Sequence, residues 1–290
     1  VDKIGGHQAY TEYRGNGAIR GDLAQKSSAF TGSAIDPDQN IILTPGTQGA
    51  LFLAVGANMV AGDKVAIVEP DYFANRKLVE FVDGQLVPSY MDVEKGEKEG
   101  KAGLDLAALE EGFKQGVKVF LFSNPNNPTG VIYSAQEIEA IASPAKKYGV
   151  TVFADQLYSR QVFDGRWYTH LRSQKEVPEN LITILDPSKT ESMSGCRLGV
   201  AFGSPLIITR MEKLQAIVSL RASGYNQKHI VIVGSGDIAR DCVRRIRQSP
   251  EYGYTLLGYV SDRKNWSALP YLGTFDQLDG YLSRTKPDEV

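Results

Sequence analysis

The chain has 290 residues, of which 42% are hydrophobic and 23% are charged, as in an ordinary globular protein. Its formal net charge is only −2, from 32 Lys and Arg against 34 Asp and Glu, so it has no global field to attract nucleic acid or an anionic membrane. No apolar run reaches the roughly 18 residues of a transmembrane helix. At about 150 residues per domain, the length predicts two domains.

The few cysteines and histidines indicate the cellular compartment and the metal chemistry to expect. The two cysteines, Cys196 and Cys242, are too few for a disulfide scaffold, so we expect reduced thiols and a cytoplasmic protein. The three histidines, at 7, 170 and 229, have no metal-ligand spacing with cysteines or carboxylates. The sequence therefore predicts no metal site.

Short apolar runs rich in β-branched residues alternate with helical stretches along most of the chain. The predicted strands are 41–43, 64–68, 86–87, 117–122, 150–154, 181–185 and 198–202, and the predicted helices include 49–60, 104–115 and 135–148. Most of the strands are apolar on both faces, which is typical of a sheet covered by helices on both sides. The alternation predicts an α/β fold on a mostly parallel seven-stranded sheet. The charged segment 94–101 is predicted to be a solvated loop.

A second unit is predicted to begin at Lys228. The buried-strand pattern of 229–233 runs directly into a glycine-rich turn, followed by a helical stretch at 240–248 and another strand at 254–260. This is the start of a new Rossmann-like βαβ unit. We therefore divide the chain into 1–227 and 228–290.

Three motifs in the first part each follow a predicted strand. Residues 124–130 read Asn-Pro-Asn-Asn-Pro-Thr-Gly. Asp155 follows the strand 150–154, with Tyr158 three residues later, and an acid at the carboxyl end of a strand lies where open α/β sheets bind ligands. The third motif is Ser-Lys-x5-Gly-x-Arg-x-Gly, which begins at Ser188 and ends at Gly199.

Together these motifs resemble the fold-type I aminotransferases, the pyridoxal-phosphate (PLP) enzymes of the aspartate aminotransferase superfamily, over residues 8–227. The resemblance implies the large-domain fold of that family, PLP as cofactor, and amino-group transfer between an amino acid and a 2-oxo acid through a lysine Schiff base. It also implies small-molecule substrates and a homodimer. Decarboxylases, lyases and racemases share this scaffold, so those activities stay open, as does the identity of the amino acid.

The resemblance assigns roles at the cofactor ring. Lys189 occupies the position of the lysine that joins the cofactor and moves the substrate's α-proton. Asp155 matches the carboxylate that keeps the pyridine nitrogen protonated, and Asn127 and Tyr158 match the donors to the phenolic oxygen. Tyr72 matches the aromatic side chain that stacks on the ring, with an ordinary core aromatic as the alternative.

A phosphate group needs backbone amides at a helix start and a cation. The resemblance implies a phosphate cup after the first strand, a hydroxyl from Ser188, and an arginine, Arg197, able to grip two oxygens. Tyr13 resembles the tyrosine that reaches the phosphate of the neighbouring subunit, although a surface tyrosine explains it equally well. The predicted cup consists of Gly46, Thr47 and Gln48.

The first part departs from the family pattern in two ways. Asp186 stands three residues before the lysine, where the family often has a phosphate-binding serine, so either its side chain turns away or the loop differs. After residue 227 nothing resembles the family's small domain, which carries the arginine that clamps the substrate carboxylate. The sequence therefore predicts a cofactor-binding scaffold whose catalytic turnover is doubtful.

The second part has its own candidate site. Gly234-x-Gly236-x-x-Ala239 fits the dinucleotide fingerprint, with Ser235 inside the loop and Asp262 in the place of a ribose-binding acid. Together with the segments 258–262 and 270–278, this fingerprint makes residues 228–290 resemble a known domain. It is the Rossmann-type domain of polyprenyl glycosylphosphotransferases and nucleotide-sugar dehydratases. NAD or a nucleotide sugar is the implied ligand. A tight turn without a ligand, and a catalytically silent chimera of two α/β fragments, are the alternatives.

Overall fold

The computed structural model describes residues 11–163, 165, 167–218, 228–248 and 254–285. These residues belong to two compact units, one within Thr11–Ser223 and the other within Gly224–Val290. The boundary predicted at 227/228 adjoins residues 219–227, which lie outside the described residues, so it stays a prediction. Within the described ranges, no helix is both long enough and apolar enough to cross a membrane.

The first unit alternates strands and helices in the predicted order. Its helices are α1 (Gly17–Thr31), α2 (Gly46–Asn58), α3 (Phe73–Phe81), α4 (Val93–Glu99), α5 (Leu106–Lys114), α6 (Ala135–Lys147) and α7 (Pro205–Ile217). Its strands are β1 (Ile41–Pro45), β2 (Lys64–Glu69), β3 (Gln85–Tyr90), β4 (Val119–Ser123), β5 (Thr151–Asp155), β6 (Leu181–Leu185) and β7 (Leu198–Gly203).

The seven strands form one sheet in the order β1-β7-β6-β5-β4-β2-β3. Strand β7 is antiparallel to both of its neighbours, and every other pair is parallel. The predicted α/β fold with a mostly parallel seven-stranded sheet is therefore confirmed. Because β7 is reversed, its first residue, Leu198, pairs with Pro45, the last residue of β1. The start of β7 thus lies at the edge where the parallel strands end.

Helices cover both faces of this sheet, as the apolar strands require. On one face, α2 and α7 pack on the sheet around Leu51, Leu53 and Met211. On the other face, α5 and α6 pack around Phe113 and Ile141. Strand β4, between these layers, is buried along its whole length. A rigid layered core of this kind fixes the strand ends, and the loops that follow them, relative to one another.

The predicted loop at 94–101 is wrong, because most of it is helical. Helix α4 begins after Asp92, whose carboxylate accepts the Lys95 N–H at 2.9 Å, and ends at Gly100 in the left-handed conformation (φ +67°). Gly96 is buried against the backbone of Ala102 and Gly103, where a side chain would collide. A good N-cap and a glycine C-cap therefore outweigh the high charge of the segment.

The second unit is small. Its strands are β8 (Lys228–Val233), β9 (Tyr254–Val260) and β10 (Tyr271–Gly273), and its helices are α8 (Asp237–Gln248) and α9 (Leu278–Thr285). The three strands form a sheet in the order β10-β9-β8 in which both pairs are parallel. Its buried core includes Val243, Tyr259 and Leu269. The βαβ pattern expected from the sequence is therefore present at 228–260.

Candidate functional site

The residues predicted from separate motifs meet at one edge of the seven-stranded sheet. The carboxyl ends of five strands and the start of β7 surround a cavity of ≈ 200 Å³. Its lining is Thr47, Gln48, Tyr72, Ser123, Asn127, Asp155, Leu157, Tyr158, Asp186, Ser188, Lys189, Ser194 and Arg197. Apart from Gly46 and Tyr13, every residue that we assigned to the cofactor or to catalysis in the first part lines this cavity. Clefts at the carboxyl ends of strands are the usual ligand sites of open α/β sheets.

Asp155 is the buried acid of the cavity. It ends β5 and is only 5% exposed, and its Oδ1 accepts the backbone N–H of Leu157 at 3.1 Å. Burial raises the pKa of Asp155 to about 7, the Leu157 N–H acts against that shift, and the charges of Asp71 and Asp186 add to it. A carboxylate in this position is stabilised by a protonated group placed in the cavity.

Asp71 is a site residue that our sequence interpretation did not assign. Its carboxylate accepts the Tyr72 N–H at 2.8 Å, the Asn126 side-chain amide at 3.2 Å, and the hydroxyl of Ser123. The Ser123 hydroxyl in turn accepts the Asn127 N–H at 3.1 Å. Burial raises the pKa of Asp71 to about 6, against the effect of these hydrogen bonds. Asp71 lies two residues after the end of β2, so an acid near the carboxyl end of a strand, the signal that identified Asp155, could have found it.

The predicted phosphate cup forms the first turn of a helix. Helix α2 begins at Gly46, three residues before the predicted start at 49, so the amides of the cup belong to its N-terminus. Asp186 is 3% exposed and does not turn away from this cup. Its Oδ2 accepts the N–H of Thr47 at 2.9 Å and the hydroxyl of Thr47 at 2.7 Å, and its Oδ1 accepts the Ser188 N–H.

Two glycines allow Arg197 to approach this helix start. Gly46 has φ +74°, and a Cβ there would collide with the guanidinium of Arg197. A Cβ at Gly199 would collide with the backbone of Gly46 and with Thr44 Oγ1. Arg197 itself adopts φ +50° and donates from Nη1 to the Ser194 carbonyl at 2.8 Å. Gly46 and Gly199 are therefore required by close packing at β1 and β7, whereas a Cβ at Gly195 would meet nothing within 4 Å.

The tyrosines and the lysine complete the lining. Tyr72 donates its hydroxyl to Gln48 Oε1 at 3.3 Å. Burial and the charge of Asp155 raise the pKa of Tyr72 and of Tyr158, so both keep their hydroxyl protons at neutral pH. Lys189 lies on the loop after β6, where its carbonyl accepts the Gln161 side-chain amide at 3.4 Å. The cavity thus joins an amine, a buried acid, hydroxyl donors and a guanidinium.

The remaining predicted residues lie elsewhere. Tyr13 is 38% exposed and does not line the cavity, and since its predicted role concerned a neighbouring subunit, that role stays a prediction. In the second unit, Gly234 (φ +107°), Ser235 and Gly236 form the turn between β8 and α8. Ser235 Oγ lies 3.0 Å from Ser261 Oγ at the end of β9, directly before the exposed Asp262. These residues share the carboxyl edge of the small sheet.

The fold and the site together define a fold-type I transferase large domain. The sequence model described as "Aminotransferase class I and II" matches residues 2–238. The chain therefore belongs to the class I and II aminotransferase family, whose cofactor is PLP. The match extends past the boundary predicted at 227/228 and reaches the glycine turn of the second unit. A separate origin for residues 228–290 thus stays a proposal.

Known proteins that are similar to this chain are also aminotransferases. Aspartate aminotransferase of Sulfolobus acidocaldarius is 31% identical over 230 residues, which are 78% of this chain and 56% of that protein. Asparagine–oxo-acid transaminase of Streptococcus mutans is 30% identical over 206 residues, 71% of this chain and 51% of that protein. The crystal structure of an aspartate aminotransferase from Rhodobacter sphaeroides is 64% identical with a TM-score of 0.74, covering 77% of this chain and 56% of that one. The chain thus spans little more than half the length of these relatives.

The residues of the cavity fit the cofactor of the family. The hydroxyl of Ser188 is buried without a hydrogen-bond partner among the described residues, which suits a phosphate oxygen. The absence of a side chain at Gly46 lets the guanidinium of Arg197 lie directly against the helix start, which places a cation beside its backbone amides. Asp155 offers a buried acceptor for a protonated ring nitrogen. Only Asp186 is unexpected, because it places a carboxylate at the cup, where a phosphate would bind.

Proposed function

We propose that this chain acts as a PLP-dependent aminotransferase, which moves an amino group between an amino acid and a 2-oxo acid through Lys189. One observation carries this proposal. Side chains from motifs spread between Thr47 and Arg197 meet in a single cavity, with the lysine and the buried acid of the family pattern both present. PLP, when bound, supplies an electron sink for the α-carbon of the substrate.

The side chains of the cavity then have distinct tasks. Asp155 would hold a proton at the ring nitrogen, because among the described residues its buried carboxylate accepts only the backbone N–H of Leu157. Asn127 and Tyr158 would donate hydrogen bonds to the phenolic oxygen of the cofactor, and Tyr72 would pack against its ring. Lys189 accepts and returns the α-proton of the substrate.

Arg197, the Ser188 hydroxyl and the helix start would hold the phosphate and so orient the ring. Asp71 is a positioning residue in this scheme, because it joins the backbone of Tyr72 to the loop that carries Asn127 through Ser123. It touches none of the reacting atoms itself.

The choice of substrate is a separate proposal. The R. sphaeroides structure that is 64% identical is named an aspartate aminotransferase, which makes aspartate the first amino donor to test. We also propose a cytoplasmic homodimer, in which Tyr13 reaches the phosphate of the neighbouring subunit. Sedimentation of the purified protein tests the dimer, and a monomer at micromolar concentration contradicts it.

The function is tested by covalent trapping. The protein is incubated with PLP and reduced with borohydride, and the modified residue is located by mass spectrometry of its peptides. We expect the label on Lys189, and we expect Lys189→Arg to lose it. Lys213→Arg, on α7 away from the cavity, is the matched control and should label as the unaltered chain does.

Labelling that avoids Lys189 contradicts the proposal. A second measurement follows the amino group itself, with isotopically labelled aspartate as donor and a panel of 2-oxo acids as acceptors. Label at Lys189 without transfer from any amino acid favours the interpretation of a silent cofactor-binding scaffold. Loss of CO2 or exchange of the α-proton without transfer favours a decarboxylase or a racemase.

The second unit supports a second candidate function. We propose that the turn at 234–236 binds a nucleotide or nucleotide sugar, because it connects the parallel strand β8 directly to the start of α8 and shares an edge with Asp262. NAD and a nucleotide sugar are the ligands to titrate by calorimetry, with Gly236→Val as the test variant. Binding that this substitution leaves unchanged contradicts the proposal. This site would be expected in a chain related to glycosylphosphotransferases or nucleotide-sugar dehydratases.

A further inference from the structure

A buried carboxylate occupies part of the predicted phosphate cup. Asp186 is 3% exposed and lies in the lining of the cavity. It accepts two hydrogen bonds from Thr47, through the backbone N–H at 2.9 Å and the hydroxyl at 2.7 Å, and a third from the Ser188 N–H. These donors stand at the helix start and on the lysine loop, where an incoming phosphate would bind. The protein thus carries an internal anion at its own anion site.

The local structure explains why a carboxylate is stable there. Helix α2 follows Pro45, whose side chain cannot cap it, so the amides of its first turn need acceptors from elsewhere. Asp186 supplies one from the end of β6, and negative charge is favoured near the positive end of the helix dipole. The same charge is unfavourable for a second anion. At an effective dielectric constant of about 20, two like charges about 5 Å apart repel strongly enough to weaken binding by on the order of tenfold or more.

We infer that Asp186 is a specificity-determining residue of the cofactor site: it lowers the affinity for phosphorylated pyridoxal relative to pyridoxal, the same ring without phosphate. This inference rests on the proposed PLP function. If the carboxylate stays in place, its negative charge repels the phosphate, and the N–H and hydroxyl of Thr47 are already hydrogen-bonded to Asp186. If it moves out, three hydrogen bonds are lost, one of which caps the start of α2. Either way the phosphate contributes less to binding than Arg197 and Ser188 alone would provide.

The inference is tested by comparing dissociation constants for PLP and for pyridoxal, measured by absorbance titration. Asp186→Asn keeps the shape and one acceptor for Thr47 but removes the charge, and Asp186→Ser removes the carboxylate altogether. We expect both variants to bind PLP about tenfold or more tighter than the unaltered chain, with less than about a twofold change for pyridoxal. Glu137→Gln is the control, because Glu137 is also a buried carboxylate bound to backbone amides but lies outside the cavity, and it should not alter the ratio.

The unaltered protein gives an independent measurement that needs no variant. We expect it to bind PLP less than about a hundredfold more tightly than pyridoxal, and a larger preference overturns the inference. Variants of Asp186 that bind PLP no more tightly also overturn it, since the carboxylate is then only a helix cap. If neither compound binds the unaltered protein, it is the proposed PLP function that fails.

Discussion

At the scale of single residues, the buried acid of the cavity, Asp155, makes the stability of the fold depend on pH. Burial raises the pKa of Asp155 from its ordinary value of 3.8 to about 7. Between these two values the folded chain binds a proton that the unfolded chain has released. The contribution of Asp155 to stability is therefore fully present below about pH 4 and is lost as the pH rises through about 7.

Replacing Asp155 by asparagine should remove this pH dependence. At pH 8 we expect Asp155→Asn without cofactor to be more stable than the unaltered chain by roughly 2–4 kcal/mol, and this gain should shrink as the pH falls toward 4. Urea unfolding at pH 4.5 and pH 8 measures both values. A gain that is equal at the two pH values shows that the pKa of Asp155 is not raised. The exposed Asp22→Asn is the control and should change stability little at either pH.

The neighbouring glycines at 195 and 199 offer a matched pair of substitutions. A Cβ at Gly199 would collide with the backbone of Gly46, whereas a Cβ at Gly195 would meet nothing within 4 Å. We expect Gly199→Ala to destabilise the fold by about 2 kcal/mol or more and to weaken PLP binding, because β7 can no longer lie close to the cup. Gly195→Ala should stay within about 0.5 kcal/mol of the unaltered chain. Equal unfolding midpoints for the two variants would contradict this packing.

At the scale of elements, α6 depends on the residues at its N-terminus. Ser134 and Glu137 form a capping box, and Glu137 also accepts the backbone N–H groups of Ala102 and Gly103 at 3.0 Å each. We expect Ser134→Ala to cost about 1 kcal/mol, and Glu137→Ala to cost about 2–4 kcal/mol because it leaves buried amides without an acceptor. Urea unfolding measures both. A smaller cost for Glu137→Ala than for Ser134→Ala would show that these amides find other partners.

The elements also show what a single sequence can predict. Asp155 and Lys189, which the resemblance placed at one site, line the same cavity, because the parallel strands β5 and β6 end at one edge of the sheet. The hydrogen bonds that join Asp71 to Ser123, and Thr47 to Asp186, link residues 52 and 139 positions apart, and no local pattern encodes them. Helix α4 was missed because its charged composition hid the caps at Asp92 and Gly100.

At the scale of the whole molecule, the cofactor site and the second unit are separate predictions. Every residue of the cavity lies within Thr11–Ser223, and the glycine turn lies within Gly224–Val290. The family match covers residues 2–238 and so reaches into both units. Sequence similarity alone therefore does not divide the chain by function. Ligand binding can divide it, because a ligand stabilises only the unit that it contacts if the two units unfold independently.

Hydrogen exchange with and without PLP should show this division. At a free PLP concentration of 100 times the Kd, the cofactor stabilises the unit that binds it by about 2.7 kcal/mol. We expect slower exchange in β1, β5 and β6, whose ends form the cavity, and unchanged exchange in β8 and β9. Lys189→Arg, which cannot join the cofactor in the same way, should lose most of this protection. Protection that spreads equally into residues 228–260 would contradict two independent units and would indicate that the chain folds and binds PLP as one cooperative body.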